Sequence, residues 1–153
     1  MITHRILEDY SEDNFRLFAI HSNVEDHAMA YGLNGALKLR MKRAQSDFDL
    51  DQHVTFPFFE WKDELQDITW HLICNSSTTR EIGNPGELFP DEPRLNRHYL
   101  IPEFKDADYV LRTEVAEEME TEEVLTAILA IPHVITVYEI ETATLKSKEN
   151  LIF

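Results

Sequence analysis

The chain has 153 residues, 43% of them apolar and 28% charged, so we expect one globular domain over residues 1–153. Its 14 Lys and Arg against 29 Asp and Glu give a formal net charge of −15, which disfavours direct binding to nucleic acid and to anionic membranes. The one cysteine, Cys74, excludes an intrachain disulfide and a cysteine-only zinc site, and it suits a reducing cytoplasm.

The first elements that the sequence predicts are a buried strand and a helix. Residues 17–20 form an uninterrupted apolar run, typical of a strand buried on both faces. Ser22 and Glu25 have the spacing of a capping box, which predicts a helix from about residue 23 to residue 39. The residues expected on the buried side of this helix are Met29, Ala30, Leu33, Ala36 and Leu37.

Three segments with strand-like patterns follow the helix. Residues 44–50 and 68–75 alternate between apolar and polar side chains, and residues 53–61 are rich in phenylalanine. The polar residues between the last two segments predict a hairpin. Residues 76–97 hold two of the four glycines and three of the six prolines, so we expect a mobile loop there.

The last part of the chain predicts a strand, a helix and a strand. Residues 107–115 alternate in polarity, and Thr121 is suited to cap a helix with glutamates in its first turn. Residues 134–141 are rich in β-branched side chains and predict the final strand.

The front of the chain offers a similar β-α-β unit that would close at residues 44–50. Two such units and a hairpin predict an α+β fold with a mainly antiparallel sheet and two principal helices. We interpret this as an elaborated ferredoxin-like layout, in which both helices cover one face of the sheet.

The segment 101–109 has the sequence IPEFKDADY. Through it the chain resembles the IPExxxVDY family of uncharacterised bacterial proteins, and the resemblance extends over most of the chain. The residues that match at the family's spacing are Ile101, Pro102, Glu103, Asp108 and Tyr109. Ala107 stands where the family has Val. The resemblance implies a bacterial protein and brings no activity, cofactor or catalytic residue with it.

The same segment has a structural interpretation, namely a turn clamped into the sheet. Pro102 fixes its own φ and favours extended geometry at the residue before it. Tyr109 opens a buried strand face and needs an acceptor for its hydroxyl, which we expect to be Glu103 or Asp106. We favour this structural role, and a functional site at Glu103 and Asp108 is the alternative.

The sequence contains no motif for cofactor binding or catalysis. It has neither a glycine-rich phosphate loop nor the GxSxG turn of a nucleophilic serine. Cys74 lies in an apolar alternation that is typical of a core residue. The densest polar cluster consists of His21, Ser22, Glu25, Asp26 and His27. Its histidines lack the spacing of metal ligands, so we expect no metal, no cofactor and no catalytic residue.

Charge is distributed unevenly along the chain. No Lys or Arg occurs between Arg112 and Lys146, whereas eight glutamates do. From these we define the acidic face as Glu117, Glu118, Glu122 and Glu123. Four cations fall within six residues elsewhere, and we define the basic segment as Lys38, Arg40, Lys42 and Arg43. Solvation of the surface and compensation of a helix dipole are the simpler explanations of the two clusters, and the functional alternative is that both are interaction surfaces.

No part of the sequence is typical of export or of membrane insertion. The first residues lack the apolar stretch of a secretory signal, and no apolar run is long enough for a bilayer. We therefore expect a cytoplasmic protein without membrane contact.

Three functional classes are compatible with these features. We favour a noncatalytic interaction or adaptor domain whose acidic face binds another protein of basic character, because charge is segregated and catalytic motifs are absent. A regulatory domain that senses a small molecule is the alternative, by analogy of fold with ACT domains alone. It would need a cavity with convergent polar groups. An enzyme without a recognisable motif is the second alternative, and it would need buried titratable residues in such a cavity.

Overall fold

A computed structural model describes residues 15–51, 54–82, 93–114 and 120–151. Within these ranges the elements in chain order are β1 (Phe15–Ser22), α1 (Asp26–Leu37), β2 (Lys42–Arg43), β3 (Phe48–Asp51), β4 (Val54–Phe56), β5 (Phe58–Asp63), β6 (Ile68–Cys74), β7 (Ser76–Ile82), β8 (Pro93–Tyr99), β9 (Tyr109–Glu114), α2 (Thr121–Leu129) and β10 (Val134–Ile140). Short 3-10 helices lie at Pro102–Phe104, Thr142–Thr144 and Lys148–Leu151.

Six of the described strands form one antiparallel sheet in the order β10-β1-β9-β6-β5-β2. β9 lies between β1 and β6, and the β9-α2-β10 unit places β10 on the far side of β1. This is the interleaved arrangement of two β-α-β units that a ferredoxin-like layout requires. The predicted α+β fold with a mainly antiparallel sheet and two helices is therefore confirmed.

The strand that closes the front unit is β6 and not the predicted segment 44–50. β3, which begins within that segment, pairs with β4 in a separate two-stranded ribbon. Both segments alternate in polarity, so periodicity alone does not show which one enters the sheet. The difference lies in burial, because four consecutive residues of β6, from Trp70 to Ile73, are buried, as an inner strand requires.

The two faces of the sheet are covered by different parts of the chain. On one face α1 and α2 pack against Phe18, Ile20 and Leu111, which confirms that both helices share a face. On the other face the β3-β4 ribbon and the segments around residues 100–107 and 145–151 cover Leu17 and Ala19. The alternation along β1 thus fills both cores, as its apolar run predicts. Neither described helix, at 12 and 9 residues, is long and apolar enough to cross a bilayer.

The predicted capping box at the start of α1 was wrong. The helix begins at Asp26, later than predicted, and no side chain caps it. The Ser22 hydroxyl donates instead to the carbonyl of His133 at 2.8 Å, which ties the end of β1 to the turn before β10. Ala36 is exposed and Leu37 half-buried. The buried residues of α1 are Met29, Ala30 and Leu33.

The segment 76–97, predicted as a loop, forms regular structure at both of its described ends. β7 and β8 pair antiparallel from Ser76 opposite Tyr99 to Ile82 opposite Pro93. Residues 83–92, which hold the glycines of this segment, lie outside the described residues. The prediction was wrong for the ends because β7 itself contains neither glycine nor proline. All the glycines and prolines of this segment, on which the loop prediction was based, follow β7 in the sequence.

Candidate functional site

A buried asparagine that the sequence analysis did not single out holds the segment 101–109 in place. The Asn75 Oδ1 accepts from the backbone N–H of Ile101 at 2.9 Å, and its Nδ2 donates to the carbonyls of Phe104 (2.8 Å) and Ala107 (2.9 Å). Ile101 is fully buried and its backbone is extended, as predicted, and Pro102 opens a 3-10 helix. The sequence does contain a signal for this role, namely a polar residue directly after an apolar strand, and the sequence analysis overlooked it.

Glu103 of this segment anchors the C-terminal part of the described chain. Its Oε2 accepts from the backbone N–H of Lys146 at 2.9 Å and of Ser147 at 3.2 Å, and from the Ser147 hydroxyl at 3.1 Å. Partial burial opposes ionisation of Glu103, but the hydrogen bonds from Ser147 and Lys146 outweigh it and hold the pKa below its usual value. The carboxylate is therefore occupied by structural contacts.

Asp108 and Tyr109 anchor the turn that follows β1. The Asp108 Oδ2 accepts from the backbone N–H of Ser22 at 2.8 Å, and the Tyr109 hydroxyl donates to the carbonyl of Val24. The prediction that Glu103 or Asp106 accepts from Tyr109 was wrong, because the register of β1 and β9 brings the turn over the tyrosine. Burial raises the pKa of Tyr109 well above its usual value, so the hydroxyl keeps its proton. These contacts support the structural interpretation of the segment.

The polar cluster at the start of α1 does not converge on one point. The His21 Nε2 lies 3.0 Å from the Tyr138 hydroxyl, on the side of β10. His27 is exposed and lies 3.3 Å from a carboxylate oxygen of Glu25. Over the described ranges no group of three or more His, Cys, Asp or Glu side chains is arranged to hold a metal ion.

Cys74 packs against the core beneath the helices. Burial, followed by the nearby Asp26 carboxylate, raises the pKa of the Cys74 thiol to about 12. A thiol is a nucleophile only as the thiolate, so this environment makes Cys74 inert at neutral pH. The interpretation of Cys74 as a core residue agrees with its packing.

A row of polar residues that the sequence analysis missed crosses β6 and β9 on the face away from the helices. His71 and Arg112 are cross-strand neighbours and both are buried. The Arg112 Nη1 lies 2.8 Å from the Glu114 carboxylate, and its guanidinium lies 4.7 Å from the centre of the Phe15 ring. Burial, and then the charge of Arg112, lower the pKa of His71 to about 4, so the ring is neutral at neutral pH. His71 and Arg112 are therefore buried within the sheet, and Arg112 is engaged there by Glu114 and Phe15.

Glu122 and Glu123 are the members of the acidic face that the structure describes, and Glu117 and Glu118 lie outside the described residues. Both side chains are exposed in the first turn of α2, where the helix dipole favours carboxylates. Glu120, which precedes the helix, is also exposed. The described part of the acidic face is thus open to a partner.

Arg16 joins the start of α2 to the end of β10. Its guanidinium donates to the Thr121 hydroxyl and makes hydrogen bonds of 2.9 and 3.2 Å with the Glu139 carboxylate. Thr121 is accordingly the first residue of α2 and not its cap, contrary to prediction. Arg16, Glu139 and Glu141 also line one shallow groove. The glutamates of α2 and of β10 therefore lie at the same end of the sheet.

The basic segment lies toward the opposite edge of the sheet, the one formed by β2. Lys38 follows α1 in the left-handed conformation, with φ of 57°. Arg40 is exposed beyond the helix, and Lys42 and Arg43 form the edge strand β2. Compensation of the helix dipole thus applies to Lys38, which is directly at the helix end, more than to the others.

The cations of the basic segment differ in their contacts. Arg43 forms an ion pair with Asp47, and its guanidinium lies 5.9 Å from the centre of the Phe59 ring. An open groove of about 640 Å³ lies beside β2. Its lining includes Arg40, Lys42, Trp61 and Lys62.

A second groove, of about 550 Å³, lies between α1 and α2. Its lining includes Tyr31, Gly35, Ala127, Ala130 and Pro132. Tyr31 and Asn34 are the polar side chains of this lining, and the Asn34 Oδ1 and Nδ2 bond the backbone N–H and carbonyl of Met41 at 3.0 and 3.1 Å. The groove therefore offers apolar surface and few available polar groups.

Comparison with known proteins adds no relative. No protein-family model matches the chain, and no curated protein is significantly similar to it. The resemblance of residues 101–109 to the IPExxxVDY family stays a prediction.

Proposed function

We propose that the protein is a cytoplasmic, noncatalytic interaction domain that binds a basic protein partner through the acidic face. The observation that supports this best is the set of contacts made by Arg16. By bonding both Thr121 and Glu139, it brings the carboxylates of α2 and β10 to one end of the sheet. Its single positive charge is smaller than the negative charge of Glu122, Glu123 and Glu139 together. That end therefore keeps a net negative charge.

Electrostatics determines what such a surface binds and how fast. A cluster of carboxylates accelerates the encounter with a basic partner and rejects acidic ones, while it adds less to the lifetime of the complex. The net charge of −15 adds to this selectivity, because it repels other acidic macromolecules. A basic peptide or protein domain is the partner class that this surface favours.

A small-molecule sensor is the alternative proposal, and its site would be the groove between α1 and α2. The space of about 550 Å³ favours it. The two helices offer few polar groups to orient a ligand there, since Asn34 is bonded to Met41. The acidic face is therefore the better supported site.

Substitution of the whole acidic face tests the proposal. The variant carries Glu117→Gln, Glu118→Gln, Glu122→Gln and Glu123→Gln. We expect it to lose most of the proteins that the wild type captures from native lysate at low salt. Its fold should persist, because exposed carboxylates contribute only about 0–1 kcal/mol each.

A matched control removes the same charge elsewhere, through Glu64→Gln, Asp67→Asn, Asp106→Asn and Glu149→Gln, all of them exposed. Circular dichroism establishes that both variants are folded before capture is compared by quantitative mass spectrometry. If the acidic-face variant recovers the same proteins as the wild type, or if the control loses them equally, the acidic face is only a solubilising surface.

A further inference from the structure

The two edges of the six-stranded sheet differ in how they are protected against pairing. β2, at one edge, has two residues, both cationic, and short strands and cations are devices that keep an edge from pairing. β10, at the other edge, has seven residues and contains no Lys, Arg or Pro. Its sequence, VITVYEI, consists mainly of β-branched and aromatic residues, which pair well in sheets. β10 therefore lacks the short length and the cations that protect β2.

An exposed apolar side chain lies on this edge. Ile135 in β10 is 70% exposed. Among the described strands, none pairs with the outer side of β10. The one charged side chain of β10, Glu139, forms an ion pair with Arg16 at 2.9 Å. A strand of this length that is rich in β-branched residues, has a single ion-paired charge and has no partner on its outer side among the described strands is typical of a surface that is covered in the functional state.

We propose that β10 is a dimerisation edge, and that its partner is β10 of a second copy of this chain, paired antiparallel across a two-fold axis. An antiparallel ladder is self-complementary, so one surface serves both copies, as a two-fold interface requires. The result is a continuous sheet of twelve strands, six from each copy. This proposal rests on the sheet edge and is independent of the acidic face.

The register that uses the whole strand places Val137 on the axis, since it is the central residue of Val134–Ile140. Ile135 then lies opposite Glu139 of the second copy, and Thr136 lies opposite Tyr138. The two Glu139 carboxylates are separated by about 14 Å in this register, beyond the Debye length of about 8 Å at physiological salt. Like charges do not oppose each other directly, so the ladder avoids the usual electrostatic penalty.

An irregularity between β1 and β10 restricts where the ladder is centred. The register shifts between His21 and Ser22, which leaves Ile135 unmatched on β1. Such a bulge bends its strand. The pairing from Thr136 to Ile140 is regular, so the central pairs of the proposed ladder fall on undistorted backbone.

Sedimentation velocity of the full chain across the micromolar range tests the proposal. We expect the wild type to sediment with twice the mass of one chain. The double variant Ile135→Asp and Thr136→Lys, at two exposed positions of β10, should raise the dissociation constant by about tenfold or more, because it charges the edge and places a carboxylate opposite Glu139 of the second copy. Because the two substitutions leave the net charge unchanged, loss of the dimer would not arise from repulsion between the whole molecules.

The control is Leu65→Asp with Gln66→Lys, an exposed pair in the turn between β5 and β6 that introduces the same two charges. It should leave the dimer intact. Amide exchange of the wild type supplies a second measurement, in which exchange within β10 slows as concentration rises. A monomeric wild type, a dimer that survives the β10 substitutions, β10 exchange that is independent of concentration, or pairing of β10 with a different protein overturns the proposal.

Discussion

Asn75 illustrates how one buried side chain determines the path of a whole segment. Its side chain bonds three backbone groups of the segment 101–109, and its own backbone bonds the carbonyl of Asp108 and the N–H of Leu100. Buried backbone groups need partners, because water cannot reach them. The amide side chain supplies donors and an acceptor at one point, which neither an aliphatic nor an acidic side chain does.

Replacement of Asn75 by alanine should be strongly destabilising. Asn75→Ala removes the partner of the Ala107 carbonyl and of the Ile101 N–H and one of two hydrogen bonds to the Phe104 carbonyl, so we expect the free energy of unfolding to fall by about 2–4 kcal/mol. Urea denaturation followed by circular dichroism measures the change. Asn96→Ala, at a half-buried position in β8, serves as the control and should cost less than about 0.5 kcal/mol. A cost for Asn75→Ala that matches the control would contradict this role.

The sequence predicts residue environments better than residue partners. That Tyr109 needs an acceptor follows from a phenol at the start of a buried strand face. The acceptor is the carbonyl of Val24, which lies 85 residues earlier and meets Tyr109 only through the register of β1 and β9. Ser22 is similar, since its hydroxyl fits a local capping box but bonds His133, 111 residues away. Local spacing does not reveal such long-range competition for a hydroxyl.

At the scale of elements, strong sequence patterns predicted where strands and helices occur, whereas weaker patterns did not predict which strands pair. β1, β9, α2 and β10 occur where apolar runs, alternation and β-branched residues predict them. β7 and β8 were missed because their segment was judged by average composition. The pairing of β6 with β9, rather than of β3, depends on which alternating segment is buried on both sides. Burial on both sides is determined by the assembled sheet and does not follow from the alternation of one segment.

The packing of α1 on α2 can be tested with two glycines of one helix. A Cβ at Gly35 would meet nothing within 4 Å, whereas a Cβ at Gly32 would lie 2.8 Å from the Ile131 Cγ2. We expect Gly35→Ala to raise the free energy of unfolding by about 0.5–1 kcal/mol through helix propensity.

Gly32→Ala brings the same gain in propensity but forces Ile131 to move, so the variant should be less stable than Gly35→Ala by about 1 kcal/mol or more. Thermal and urea unfolding of the two variants give the comparison. Equal stabilisation by both substitutions would show that α1 and Ile131, in the turn after α2, do not approach closely at Gly32.

At the scale of the whole molecule, opposite charges lie toward opposite edges of one sheet. The sequence predicts their segregation, because no cation occurs between Arg112 and Lys146. It does not predict that Arg16 would reach Thr121, 105 residues later, and Glu139. The arrangement follows from the strand order, which places β1 beside β10 and leaves β2 at the far edge.

The association rate of the chain with its captured partner, measured against salt concentration, tests the role of the acidic face most directly. Steering by exposed carboxylates is screened by ions, so the wild-type rate should fall by about tenfold or more from low to high salt. The variant with glutamine at Glu117, Glu118, Glu122 and Glu123 should associate more slowly at low salt and depend on salt less. Equal rates for both proteins, with the same salt dependence, would contradict the proposed function.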